Sequence, residues 1–164
     1  MLTPPDADNE SDLARARWLA LALPAALLGA AYASQYIGGL YPCEMCWWQR
    51  YPHFVAILIA AAALLSPLSA PRTRALTLLA ALAIAVSGAI GVMHAGVEYG
   101  WWEGLTTCTT SGATSLEDIM SVPLVRCDQV QWSLFGVSLA GLNAIISLGG
   151  AAPVVMLALR RVGR

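Results

Sequence analysis

The sequence predicts an all-α membrane protein, a bundle of four transmembrane helices with both termini cytoplasmic and two cysteine-bearing loops on the opposite side. Three observations carry this. The chain of 164 residues is 58% hydrophobic and only 12% charged, with no lysine, where a soluble domain carries roughly twice that charge. Four apolar runs reach the length of about 20 residues that a helix needs to cross a bilayer, near 18–37, 47–68, 75–97 and 133–157. Their residues lack the strand-like alternation of a membrane barrel, leaving helices as the way to satisfy the backbone in lipid.

Taken in order, residues 1–14 are polar, with Pro4, Pro5 and alternating acids, and read as a disordered tail. Residues 15–164 then form one membrane domain, since the connections are too short for a separate soluble unit. The first span ends at Gly38-Gly39. Arg15, Arg17, an apolar run and Ala31-Tyr32-Ala33 also resemble a cleavable signal peptide. An uncleaved span is preferred because the apolar run continues through Tyr36 and Ile37. Pro42 leads into the loop at 38–46. The second span contains Pro52, which removes one helical hydrogen bond and is expected to kink the first turns. Pro67 and Pro71 bracket a tight turn.

The third span carries Ser87, Gly88 and Gly91, and the fourth Gly136, Ala140, Gly141 and the amide Asn143. Small residues of this kind let helices approach closely in lipid. Between them lies the longest connection, 98–131. There Ser115 followed by Asp118 reads as a helix N-cap, with Leu116, Ile119 and Met120 on one face of a short surface helix; an ordinary turn is the alternative.

Arginine sets the orientation. Arg15, Arg17, Arg72, Arg74, Arg160, Arg161 and Arg164 share one side, against Arg50 and Arg126 on the other. The positive-inside rule puts the seven, and with them both termini, in the cytoplasm. Trp47, Trp48, Trp101, Trp102 and Trp132 fall at the outer interface, where amphipathic rings anchor. Both cysteine loops then face outward, to the periplasm of a diderm bacterium, where thiols can be held oxidised.

The four cysteines are the chemistry-bearing residues. Cys43 and Cys46 form a C-x-x-C pair at the start of the second helix, and Cys108 and Cys127 lie 19 positions apart in the second loop. C-x-x-C spacing and a helix N-terminus both favour a thiolate. Arg50 follows Cys46 by four residues, one turn on along the same face, and would stabilise that thiolate or a reduced cofactor beside it. Headgroup anchoring is the plainer role for Arg50. Four cysteines allow three pairings, and a relay and a structural staple both remain open on spacing. A four-cysteine zinc site fits poorly, because only one close ligand pair exists; no metal is expected. His53 and His94 would admit a haem between two imidazoles, a pocket residue near Arg50, or interior histidines without chemistry.

PCEMCWWQR, HAGVEYGWWEG and VRCDQVQWSLFGVSLAGLN together resemble the bacterial disulfide bond formation protein B family, DsbB, over nearly the whole chain from Trp18. The resemblance implies a protein dithiol:quinone oxidoreductase of the bacterial inner membrane. It would reoxidise a periplasmic DsbA-type thiol oxidase and pass the electrons to the quinone pool, ubiquinone or menaquinone. By position, Cys108 would be attacked by the partner, and the released Cys127 would attack Cys43. Cys46 would be left as the thiolate facing the quinone, with Arg50 polarising it. The implied disulfides are Cys43–Cys46 and Cys108–Cys127, with a transient Cys43–Cys127. Gln35 stands where the family's first helix also has a glutamine near the quinone, and His94 lies within one position of a histidine that some members use there. The segment between Cys108 and Cys127 looks shorter than in better-known members, and the first span lacks an acidic residue some members carry. The alternatives are a relative of vitamin K epoxide reductase, a disulfide-stapled scaffold, and a small haem protein. Nucleic acid is not an expected partner.

Overall fold

The structure, a computed structural model, describes residues 5–104 and 125–160. Cys108, the Ser115–Asp118 segment, and Arg161 and Arg164 lie outside the described residues. Among the described residues four helices run α1 (Pro5–Tyr36), α2 (Glu44–Leu64), α3 (Pro71–Glu98) and α4 (Leu139–Leu159), with a two-stranded hairpin, β1 (Ser133–Leu134) and β2 (Val137–Ser138), before α4. They pack up-down-up-down, and α3 is central, lying along both α2 and α4.

Each buried face follows helical spacing. On α2 it is Met45, Gln49, His53, Ala56, Ala60 and Ala63; on α4 it is Ala140, Ala144, Ser147, Ala151, Val154 and Ala158. The steps of three and four residues define one stripe per helix. The stripes are made of small side chains because helix association in lipid relies on close van der Waals packing rather than on apolar burial. At Gly91 a Cβ would come within 2.9 Å of the Ala140 carbonyl, so the α3–α4 approach requires glycine there.

Three helices among the described residues are long and apolar enough to cross a membrane, at Asn9–Tyr36, Pro71–Glu98 and Leu139–Leu159. The α2 helix has 21 residues, or about 31 Å at 1.5 Å per residue, but its first half carries Gln49, Arg50 and His53. It runs through Pro52 without interruption.

Two expectations are corrected. Residues 5–14 belong to α1 and are not an unstructured tail. Leu13 and Ala16 continue the stripe begun by Ala20 into the core of Ala60, Ala80, Val154 and Ala158, and Asp12 reaches Arg15 at 3.7 Å and Arg160 at 3.6 Å. The stretch 133–138 is a hairpin and not the start of the fourth span. Phe135 and Gly136 both have positive φ, 51° and 82°, as a two-residue turn of this hand requires, and they set Ser133 opposite Ser138. Gly136 therefore makes the turn rather than a helix contact.

The ends of the bundle differ. At one, Arg17 donates to the Ala63 and Ser66 carbonyls at 3.2 and 3.0 Å, and Arg74 to the Ala158 carbonyl at 2.6 Å. These guanidiniums cap the last carbonyls of α2 and α4. The two cysteine-bearing connections meet at the other end, where Gln131 donates to the Tyr41 carbonyl at 2.9 Å. Tyr99 ties α3 to the hairpin, accepting from the Ser138 amide at 2.8 Å and donating to the Gly136 carbonyl at 3.2 Å.

Candidate functional site

Cys43 is the N-cap of α2. Its backbone is extended, and its Sγ accepts the Cys46 amide at 3.2 Å, in place of the usual cap oxygen. This local turn brings the Cys46 Sγ to 2.7 Å from that of Cys43. The second loop delivers Cys127, 1% exposed, into the same cluster with Met45 and Val97, where its thiol hydrogen-bonds Cys43. Cys43 thus stands between Cys46 and Cys127. The structure brings these three predicted residues together; Cys108, outside the described residues, is not placed.

The position of Cys43 controls the charges. Hydrogen bonds with Cys127 and Cys46, together with burial, push its thiol well above the usual range. Cys46, in the first turn of α2, is shifted down, because Cys43 stabilises its thiolate by hydrogen bonding more strongly than burial opposes it. The thiolate of the pair therefore belongs to Cys46, with Cys43 as its donor.

Beneath the cysteines lies a polar chain. The His94 Nε2 is 3.6 Å from the Cys43 Sγ and 3.8 Å from a Glu98 carboxylate oxygen. Gln49 Nε2 lies 2.8 Å from His94 Nδ1, and Gln49 Oε1 accepts from Asn143 Nδ2 at 2.8 Å. Asn143 Oδ1 in turn meets His53 Nε2 at 3.0 Å and accepts from the Ser147 hydroxyl at 2.9 Å. The amide assignments in this network make Gln49 a donor to His94 Nδ1, so the His94 proton sits on Nε2, facing sulfur and carboxylate. Amides do not relay protons as imidazoles do, so this chain orients the two histidines rather than conducting between them.

A cavity of about 220 Å3 opens beside Cys43 and Cys46. Leu27, Leu28 and Ala31 form one wall, Leu142 and Ile146 the opposite one, and Cys46, Arg50 and His53 its polar edge. Arg50 is 6% exposed. Its guanidinium lies 4.9 Å from the Tyr32 ring centroid and 4.8 Å from that of Trp47, and it donates to Gln35 Oε1 at 2.8 Å and the Ala31 carbonyl at 3.2 Å. Gln35 is thus held against Arg50 and does not itself line the cavity. At the mouth, Arg126 is paired with Asp128.

Among the described residues, two buried atoms around this site lack a hydrogen-bond partner, His53 Nδ1 and Glu98 Oε2. Apolar walls, a cationic edge and an orphaned ring nitrogen fit a flat apolar ring with oxygens at its rim. Cys43, Cys46 and His94 also place ligand atoms within 4.8 Å of one another, a spacing a soft metal ion could bridge as well. Sequence reasoning missed Gln49, Glu98, Ser87 and Ser147. The available signal was spacing: Gln49 lies three residues after Cys46, and Glu98 four after His94.

No curated protein and no solved structure matches this sequence. The family model for the disulfide bond formation protein DsbB matches residues 14–157, a range that holds all four helices' packed parts and every cysteine. With its cysteine cluster set at one end of an apolar helical bundle, the chain belongs to the DsbB family of membrane proteins of disulfide bond formation.

Proposed function

We propose that this protein reoxidises a periplasmic DsbA-type thiol oxidase and passes the electrons through two cysteine pairs to a membrane quinone. In this reading α2 is the fourth membrane span, both termini are cytoplasmic, and the cysteine end faces the periplasm from the inner membrane. The single observation that carries it is Cys43, in contact with Cys127 on one side and Cys46 on the other, at the edge of an apolar cavity.

The exchange balances at each sulfur. A partner thiolate attacks Cys108, breaking the Cys108–Cys127 bond and releasing Cys127 as a thiolate. Cys127 then attacks Cys43, forming the Cys43–Cys127 bond, breaking Cys43–Cys46 and releasing Cys46 as a thiolate. The lowered pKa of Cys46 makes it the better leaving group. The second partner thiol resolves the mixed disulfide and frees Cys108, which recaptures Cys127 and releases Cys43. The electron pair now resides on Cys43 and Cys46. A quinone in the cavity would supply the two-electron acceptor. Arg50 would face its rim as a hydrogen-bond donor and the leucine walls would exclude water. His94, its Nε2–H aimed at Cys43, holds that sulfur's orientation.

The test gives the purified protein a reduced DsbA-type partner and decylubiquinone, and follows partner oxidation in the wild type and in Cys46→Ser. The wild type should consume quinone and the variant should lose turnover by at least about a thousandfold, as expected when the group transferring electrons is removed. Equal rates would defeat the relay.

A further inference from the structure

Hydrogen bonding around His53 fixes which of its nitrogens carries the proton. Its Nε2 meets three oxygens, Ser87 Oγ at 2.9 Å, Asn143 Oδ1 at 3.0 Å and Ser147 Oγ at 3.5 Å. Each is committed as an acceptor toward the ring. The Ser87 hydroxyl proton goes to the Gln49 carbonyl at 2.7 Å, and the Ser147 proton to Asn143 Oδ1. The Asn143 amide group donates to Gln49 and, at 3.2 Å each, to the Ser87 carbonyl and Ser87 Oγ, which leaves Asn143 Oδ1 toward the ring. An unprotonated Nε2 would face only lone pairs, so the proton is on Nε2. Nδ1 is therefore a bare acceptor.

That acceptor has no partner among the described residues. His53 is 3% exposed, yet it lines the cavity with Cys46 and Arg50. The three residues stand at i, i+7 and i+4 on one face of α2, so His53 lies about 10 Å deeper along the axis than Cys46. A buried polar atom left unsatisfied costs about 1–3 kcal/mol. A water there would find leucine and isoleucine walls and few further partners.

We propose that His53 Nδ1 accepts the hydroxyl hydrogen of a quinol, so that the cavity binds the reduced ring more tightly than the oxidised one. This rests on the quinone reading above and deepens it. A quinol hydroxyl has a proton to donate to Nδ1; a quinone carbonyl meets it lone pair to lone pair. No proton leaves either group in the contact. Arg50 is a donor that a carbonyl oxygen and a hydroxyl oxygen can both accept, so it serves either oxidation state and the discrimination rests on His53. Preferring the reduced form raises the potential of the bound acceptor, by about 30 mV for each tenfold in the affinity ratio of a two-electron couple. Electrons arriving from a strongly oxidising partner are thereby drawn forward.

The experiment titrates the oxidised full-length protein in lipid nanodiscs, under anaerobic conditions, with decylubiquinone and separately with decylubiquinol, and reads tryptophan fluorescence quenching. His53→Leu should weaken decylubiquinol binding about tenfold, the worth of one buried hydrogen bond, and change decylubiquinone binding by less than roughly twofold. His53→Asn, whose amide oxygen can occupy the Nδ1 position, should restore quinol preference. His53→Gln keeps a polar contact toward Asn143 and lacks an acceptor at Nδ1; it should fold as the wild type and bind as His53→Leu. Equal loss of both forms, or no loss of either, overturns the proposal and leaves the quinone reading intact. A wild type that binds neither form overturns both. Rescue by His53→Gln rather than His53→Asn assigns the residue to the Asn143 network alone and also overturns it.

Discussion

The two halves of α2 share one buried face and use it in opposite ways. In the C-terminal half the face is Ala56, Ala60 and Ala63, all fully buried, and it lets α1 and α3 come close. In the N-terminal half it is Met45, Gln49, Arg50 and His53, whose polar side chains find partners on other helices, with the His53 Nδ1 atom unmatched among the described residues. Gln49 answers to His94 and Asn143, Arg50 to Gln35, and His53 to Ser87 and Asn143. Burying a polar group in a low-dielectric bundle is costly unless it is hydrogen-bonded. The polar half thus exists because α1, α3 and α4 supply partners, and its unmatched atom belongs to a residue that lines the cavity.

Four substitutions or conditions sharpen this contrast. Arg50→Leu should weaken decylubiquinone binding roughly ten- to a hundredfold, the worth of a hydrogen bond from a charged donor, measured by fluorescence quenching. An unchanged affinity would reduce Arg50 to a packing element between Tyr32 and Trp47. Acidification should act next. The lowered pKa of Cys46 means that its thiolate stabilises the reduced, folded protein above the ordinary thiol value of 9.0. That contribution is lost as pH falls through the lowered folded value. Alkylation of the dithiol form should therefore stay fast below the range of a free cysteine and then fall about tenfold per pH unit, following the thiolate fraction. Cys43 should remain unreactive throughout, and a first-reacting Cys43 would reverse the assignment.

Ala60→Leu places extra volume in the C-terminal half of α2 and should cost about 1–3 kcal/mol of stability by overpacking, read as a lowered Tm. Ligand affinity should stay within roughly twofold, since the site lies on the other half of the helix. Asn143→Ala should cost about 0.6 kcal/mol of stability for each interhelical hydrogen bond it removes, to Gln49, His53 and Ser87. It also removes the partner that orients both Gln49 and His53, so quinol affinity should fall with it. A variant that loses stability and keeps its quinol preference would show that His53 is held by Ser87 alone.

Much was legible in the chain. Long apolar runs gave the helices, because a backbone in lipid must satisfy itself, and C-x-x-C followed by Arg50 marked the N-terminal end of α2. Where the sequence misled, tertiary packing was the reason. The polar residues 5–14 read as a tail, but Leu13 and Ala16 find a core and Asp12 finds Arg160 only once α4 ends nearby. Phe135-Gly136 read as part of an apolar run, whereas two positive φ values close a hairpin there.

The sequence by itself determined the helical class, the segregation of arginines, and the ladder of Cys46, Arg50 and His53 along one face, because each depends on composition or on spacing within a single helix. Only the tertiary structure decided that Cys127 meets Cys43, that Gln35 holds Arg50, and that the proton of His53 sits on Nε2. Each of those depends on atoms from segments 15 to 94 residues apart, brought together by small residues that let the helices approach.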